Sequence, residues 1–488
     1  MADVAIGLDL GTGGVRVLAV DLQGQILAQA TRSYPLLTPQ PGWTEQNPSD
    51  WVEASLSALS DVTGQVDGHR VIALGLSGQM HGMVPLDVGG KVIRPAILWN
   101  DQRTGKAVDA IEATIPRQEL IERTGNRMVT GFQLPKLVWL RTQEPQAYAQ
   151  LQQVLLPKDY LGYVLTGESV TDPSVACGVG CLNLVSGQWD IDILNALNIS
   201  PALFPRVVES SAVAGRLKLE IATRVGLPAS LPVVAGGSDS AAAAISLGIS
   251  SSHLGRGSLG IGTSGVIFIP IAHPSPDPQG RVHLFSHVDG GYYLLGVTLA
   301  AGGSLRWYRD TFAPNHSYTD LMDLANRSQP GANGVLFLAH LSGERSPYLD
   351  PDTRGAWVNL SLAHTQADLI RALLEGVAFS LRAALEVISQ SAPVRQLLAT
   401  GGGARSSVWL RILADVLQTE LMTPRSEQGA ALGAAILAMV GVGAYPNLEA
   451  ALGMLPQECK VVQPQANPSY DAALKRYSLL YDALKAVR

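Results

Sequence analysis

Apolar positions along this chain fall into short alternating or continuous runs that stop at glycine. Residues 4–8 read as a strand, the Gly11-Thr12-Gly13-Gly14 cluster as a tight turn and 15–20 as a returning strand, which makes a hairpin. The pattern recurs about half a chain later, where apolar runs flank Gly262-Thr263-Ser264-Gly265. After the turn signal Asp21-Leu22-Gln23-Gly24, residues 25–34 continue as a third strand, and 71–76, 231–235, 292–297, 336–341 and 394–399 are further strand-like runs. Strands near Val170 and over 181–184 are expected to close a subdomain. Helical spacing covers 50–62 behind a Ser49 cap, then 105–113, 117–123, 134–141 and 365–391, with further helices opening at Asp239, near Ala300 and after Ser407. Strands interleaved with helices predict an α/β chain.

Several of these strands end in polar chemistry. In the two hairpins, glycines are expected to take positive φ so that successive N–H groups form a nest for phosphate. Asp9, at the end of the first strand, places a carboxylate where a phosphate-bound Mg²⁺ needs an oxygen ligand. The run at 71–76 leads into Ser77-Gly78-Gln79-Met80-His81-Gly82, and a later one into Trp99-Asn100-Asp101-Gln102-Arg103. These amides, acids and bases suit a polyhydroxylated ligand, which offers both donors and acceptors. Val233-Val234-Ala235-Gly236-Gly237-Ser238-Asp239-Ser240 places Asp239 at a helix start, where a capping role and a catalytic one are compatible. A third glycine turn, Gly401-Gly402-Gly403-Ala404, stands between a strand and a helix, as a nucleotide site requires.

Length changes the picture from one core to two. At 488 residues and 47% hydrophobic, the chain exceeds the roughly 250 residues at which one core stops growing. Two domains are expected, 1–248 and 249–488, joined at a Ser/Gly-rich stretch over 249–257. A net charge of −6 without a dense Lys/Arg run excludes a nucleic-acid or anionic-membrane footprint. Three cysteines, Cys177, Cys181 and Cys459, form no disulfide framework and no zinc spacing, which fits a reducing, cytoplasmic setting and buried thiols. Residues 1–20 lack a signal-peptide pattern, and the uncharged stretch 429–445 is too short to span a bilayer, so it reads as a closely packed helix in a soluble protein.

Other nucleotide folds are excluded by context. Gly260 to Gly265 spells G-x-G-x-x-G, but a strand and Pro270 follow where a dinucleotide fold needs a helix. Gly105-Lys106 is followed by Ala107, and Asn100 stands at the first glycine position, so there is no Walker A motif. Two hairpins, a glycine turn and the carboxylates of Asp9 and Asp239 fit a duplicated sugar kinase and equally an actin-like or chaperone-like ATPase. The polar clusters at 79–81 and 100–103 favour the sugar kinase.

With these residues in view, the chain resembles the FGGY carbohydrate kinases, and among them the kinases of xylulose. DLGTGGVR, SGQMHG, RPAILWND, LLPKDYL, VVAGGSD, GTSGV, LSGERSP, GGGARS and ALGAA occur in family order from Ile6 to Ala435. The resemblance implies two ribonuclease-H-like domains of the actin and hexokinase type with a central cleft, ATP with Mg²⁺ as donor, a ketose as acceptor, and a possible homodimer. It makes Asp239 the general base and Asp9 the carboxylate near Mg²⁺. Met80 and His81 match sugar contacts, with Asn100, Asp101 and Ser240 beside them. Gly11, Thr12, Gly13 and Arg16 of the first hairpin, and Gly262, Thr263 and Ser264 of the second, match phosphate-binding positions. Gly302, Gly402, Gly403, Ala404 and Ser407 match nucleotide contacts. Two departures stand out: Gly13 replaces a serine of the first hairpin, and Asp239-Ser240 replaces the usual Asp-Asn pair. D-Xylulose is the implied acceptor, with D-ribulose or another ketose or polyol as the alternative, and a non-catalytic sugar sensor or actin-like ATPase as the alternative of another class.

Overall fold

The computed structural model describes residues 3–66, 70–424, 428–456 and 458–486. The chain divides into two compact units, each around one sheet. The first comprises Met1–Ser251, Phe285–Tyr292 and Gln428–Pro456, the second Ser252–Leu284, Tyr293–Glu427 and Gln457–Arg488. The division differs from a single cut near 249 because the uncharged helix Gly429–Gly441 packs on the first sheet. A Cβ on Gly7 or Gly75 would lie 1.9 or 2.0 Å from that helix's carbonyl oxygens, so only glycine allows this approach.

In the first unit, β1 (Val4–Leu10) and β2 (Gly14–Asp21) form the expected hairpin, with Leu10 opposite Val15. β3 (Ile26–Ser33) extends it antiparallel on β2. β4 (Val71–Gly78) and β5 (Pro232–Ser238) add in parallel on the other side, giving the order β5-β4-β1-β2-β3 with Val213–Arg216 beyond β5. Helix α1 (Pro48–Thr63) covers β2 and β3 and buries Trp51, Leu56 and Leu59. Its N-cap is Asn47, not Ser49: Pro48 supplies the preset φ of the first helical position, so the helix begins before the serine. Helix α2 (Asp239–Ser246) follows β5 directly.

The second unit repeats this plan. β6 (Arg256–Ile261) and β7 (Gly265–Ile271) form a hairpin, β8 (Tyr292–Thr298) neighbours β7, and β9 (Gln396–Thr400) and β10 (Glu420–Pro424) add in parallel beside β6. The order β8-β7-β6-β9-β10 is that of the first sheet. Helices α3 (Gly302–Phe312), α4 (Gln366–Ile388) and α5 (Ser407–Leu417) belong to this unit, and α4 buries one long apolar side.

Some expected strands are shorter or missing. Val170–Thr171 pairs with Arg206–Val207, but of 181–184 only Leu182 makes a bridge, to Trp189. The cause is local: Cys177–Val179 is a 3₁₀ turn closed by Gly180 at φ 94°, which turns the chain out of any strand. Cys177 and Cys181 are buried, and burial pushes both thiols well up, so they are inert. Among the described residues no helix is long and apolar enough to cross a membrane.

Candidate active site

β1, β4 and β5 run parallel, so their carboxyl ends share one edge of the first sheet. Asp9 stands there in register with Ser77, and Ser238 with Gly78, which places Asp9 and Asp239 two strands apart, roughly 10 Å across the sheet. Ser238, not Asp239, caps α2, its hydroxyl accepting from Ala241 N at 3.3 Å. Asp239 is thereby released from capping and sits in the first helical turn, half-buried, its Oδ1 accepting from Ser240 N at 2.6 Å and Ser240 Oγ at 3.3 Å. Burial raises its carboxyl above the ordinary range against the pull of those two donors. Asp9 is pushed up to about 7, first by burial and then by the charge of Asp239. A carboxyl raised by burial and by a neighbouring acid at a sheet edge marks a candidate functional site.

The turn after β4 faces the same edge. His81 takes a left-handed backbone, φ 66°, and its Nδ1 lies 2.9 Å from Gly178 O while its ring packs on Phe132 and Phe285. That contact needs a proton on Nδ1, which in the neutral ring makes Nε2 the acceptor nitrogen. Lys136, wholly buried, donates to His81 O at 2.9 Å and to Gly131 O and Phe132 O, and desolvation lowers its ammonium to about 7. Met80 is buried beside Gly178. Gln79 Oε1 accepts from the Thr12 hydroxyl at 3.1 Å, and Thr12 Oγ1 accepts from Trp99 Nε1 at 2.9 Å. Asn100 Oδ1 accepts from Thr44 Oγ1 at 2.8 Å.

Asp101 and Arg16 are placed differently from a direct ligand contact. Asp101 is fully buried, accepts from Thr44 N at 2.6 Å and pairs with Arg103 at 2.7 Å, whose guanidinium lies 3.7 Å from the Trp43 ring centre. Oδ2 therefore pins Thr44 directly, while Oδ1 holds Arg103, which in turn pairs with Glu45 and lies over Trp43. Arg16 donates to Gln428 O at 3.1 Å, Gln428 Oε1 at 2.9 Å and Gln29 Oε1 at 3.0 Å, which ties β2 to the start of the helix Gly429–Gly441.

The hairpin glycines do not work as expected. None of Gly11, Gly13, Gly14, Gly262 or Gly265 has positive φ. Gly14 and Gly265 are instead required by space, because a Cβ would lie 2.5 Å from Arg32 O and 2.6 Å from Thr298 Oγ1. The Gly302-Gly303 pair is likewise a docking surface: Ala301, Gly302 and Gly303 donate their N–H groups to Thr263 O, Gly262 O and Thr263 O at 2.9, 2.8 and 3.0 Å, so the second hairpin satisfies the N-terminus of α3.

In the second unit, a cavity of about 680 Å³ opens beside this junction. Gly262, Thr263 and Gly302 form one wall, and Gly402, Gly403 and Ser407 another, while Tyr318, Met322 and Trp409 add apolar surface. Ala404, between the lining residues Gly403 and Arg405, is buried, and Ser264 follows Thr263 in the turn. The volume falls within the range of nucleotide-sized ligand pockets. Arg306 also lines it, its guanidinium 3.5 Å from Thr263 Oγ1. Nothing in the sequence singled out Arg306: it lies one turn into α3, and the docking of that helix on the hairpin exists only in three dimensions.

Comparison with known proteins shows the family of the chain. The N-terminal domain model of the FGGY family of carbohydrate kinases matches residues 4–246, and the C-terminal domain model matches 257–442. A xylulose kinase of Bacillus subtilis is 37% identical over 99% of this chain and 96% of its own length. One from Escherichia coli is 36% identical over 98% of this chain and 99% of its own. The crystal structure of xylulose kinase from Rhodospirillum rubrum is 31% identical, with a TM-score of 0.92 over 99% of both chains.

Proposed function

This chain belongs to the FGGY family of carbohydrate kinases, and we propose that it transfers the γ-phosphoryl group of ATP to D-xylulose, giving D-xylulose 5-phosphate and ADP. The observation that carries this reading is the pairing of Asp239 and Asp9 on one sheet edge with the polar turn Gln79-Met80-His81. Relatives named xylulose kinase, alike over nearly the whole chain, support the choice of sugar.

In this mechanism Asp239 accepts the proton of the sugar's 5-hydroxyl as that oxygen bonds the γ-phosphorus and the bond to the bridging oxygen breaks, with ADP keeping the electron pair. His81 presents Nε2 to a sugar hydroxyl; Met80, Asn100 and Ser240 complete the sugar's surroundings, and Asp101 acts through the segment it pins. Gly11, Thr12 and Gly13 form the phosphate-facing turn of the first unit, with Arg16 stiffening it. Gly262, Thr263, Ser264, Gly302, Gly402, Gly403, Ala404, Ser407 and Arg306 provide or shape the nucleotide pocket of the second. Transfer requires that the substrates held by the two units meet during turnover, and water must be excluded at that moment.

The residues present suit Mg²⁺. Asp9 Oδ1 is buried and accepts no hydrogen bond among the described residues, which is what a hard cation's oxygen ligand needs. Bound there, Mg²⁺ would neutralise phosphate charge, with Asp9 orienting it.

ADP release against a panel of D-xylulose, D-ribulose, other pentuloses, hexuloses and polyols, with a no-sugar blank, tests the reading. D-Xylulose should give the highest kcat/KM. A tenfold preference for another sugar moves the assignment to that sugar, as the Asp239-Ser240 departure allows, and sugar-independent release refutes a sugar kinase.

A further inference from the structure

The strand that delivers Asp239 is broken just before it gets there. β5 pairs with β4 in register at Val234 and Gly75, then slips so that Gly237 faces Ser77: two residues, Ala235 and Gly236, stand against Leu76 alone. Gly236 makes this bulge with φ 75°, and a Cβ there would lie 1.6 Å from Leu76 O. A bulge costs ladder hydrogen bonds, and the orphaned groups need partners inside a core. They find them on one buried cluster. Ala235 O accepts from Lys158 Nζ at 2.8 Å, Gly236 N donates to Ser210 O at 2.8 Å, and Ser238 N donates to Ser174 Oγ at 2.9 Å.

All three partners converge on Asp172. Its Oδ1 accepts from Ser174 Oγ at 2.5 Å, from Ser174 N at 3.0 Å and from Ser210 Oγ at 3.1 Å, and its Oδ2 lies 3.1 Å from Lys158 Nζ. Lys158 is also paired with Asp159 at 2.8 Å. The side chains of Lys158, Asp159 and Asp172 are at most 2% exposed. An ion cluster this dry is expensive to bury and is poor evidence of stability for its own sake. Its geometry instead fixes the four residues from which Asp239 projects. Gly237 is held between Val288 and this cluster: a Cβ there would lie 2.3 Å from Val288 Cγ1 and 3.2 Å from Ser174 Oγ.

We propose that Asp172, with Lys158 as counter-ion and Ser174 and Ser210 as its arms, is the positioning residue for Asp239. The cluster touches no substrate; it holds the bulge so that the carboxylate leaves the strand at one angle. The inference rests on Asp239 being the base, and a displacement of about 1 Å at such a group costs on the order of 100-fold in rate.

The test is Ser174→Ala in the full-length enzyme, beside Asp239→Asn, with kcat, both KM values and thermal unfolding measured. Ser174→Ala removes the acceptor for Ser238 N together with one donor to Asp172 Oδ1, and leaves the ion pairs of Lys158 with Asp159 and Asp172 in place. It should lower kcat at least tenfold with KM for D-xylulose and ATP within threefold and an unfolding midpoint close to wild type. Unchanged kcat, or a joint loss of kcat, both KM values and the midpoint, overturns the positioning role. If Asp239→Asn retains turnover, the assignment of the base fails instead, whatever Ser174→Ala does. Should Ser174→Ala not fold, Ser210→Ala, which removes a different arm, is read by the same split: a lowered kcat at constant KM supports the role and an unchanged kcat overturns it.

Discussion

The hydroxyl of Thr12 donates to Oε1 of Gln79 across 3.1 Å, so the turn of the first hairpin is bonded to the turn after β4. Because the same oxygen accepts from Trp99 Nε1, one side chain joins the phosphate-type turn to both polar clusters. Thr12→Val keeps the shape and removes the bonds. A single such bond contributes about 1 kcal/mol, or about fivefold. KM for D-xylulose should rise about five- to tenfold in steady-state assays, and Thr12→Ser should restore it.

Arg306 faces the cavity beside Thr263, where the phosphates of a nucleotide would lie. A charge-assisted hydrogen bond is worth ~1.5–3 kcal/mol, about 10- to 150-fold. Arg306→Gln should weaken ADP by at least tenfold in calorimetric titration and leave adenosine within twofold. Equal weakening of both ligands would place Arg306 on the nucleoside instead.

Asp9 carries a stability cost at neutral pH. Its carboxyl is at about 7 in the folded chain and near 3.8 when exposed, so the folded state holds a proton that the unfolded state has lost between these values. Stability from this group is present below pH 4 and is lost as pH rises through about 7. The gap amounts to roughly 4 kcal/mol at most. In Mg²⁺-free, nucleotide-free protein at pH 8, Asp9→Asn should raise the unfolding midpoint by about 2–6 °C while abolishing activity. A midpoint unchanged or lowered across pH 5–8 would contradict the buried charge.

Ser240 donates to Asp239 through N–H and hydroxyl, and both hold that carboxyl down against burial. Ser240→Ala removes one donor, so Asp239 should protonate at higher pH. The acid limb of kcat/KM should therefore move to higher pH, read from a pH–rate profile with D-xylulose. A limb that stays in place while KM rises would make Ser240 a sugar contact only.

Much of this site was legible because its parts are local. Strand-glycine-strand runs gave both hairpins, and the stop of each apolar run gave Asp9, His81 and Asp239. What the glycines do was not legible: Gly14 and Gly265 answer to Arg32 and Thr298, residues from other strands, and only packing reveals such pressure. The helix Gly429–Gly441 read correctly as closely packed, but its return to the first sheet is a contact more than 350 residues away along the chain, between Gly75 and Ala434. Asp101 read as a sugar-facing acid, because its hold on Thr44 and the stacking of its partner Arg103 over Trp43 exist only in three dimensions. Lys158 and Asp172 lie in runs that look like ordinary helix starts, and nothing local ties them to Ala235 or Ser238.

The central claim is that Asp239 takes the proton of the sugar hydroxyl. Asp239→Asn preserves size and removes the base, so the direct measurement is ADP release with saturating ATP, Mg²⁺ and D-xylulose, alongside the dissociation constants of both substrates. A positioned general base contributes about 10²–10⁴-fold. Turnover should fall at least 100-fold with both dissociation constants within threefold of wild type, whereas turnover within tenfold of wild type would contradict the account.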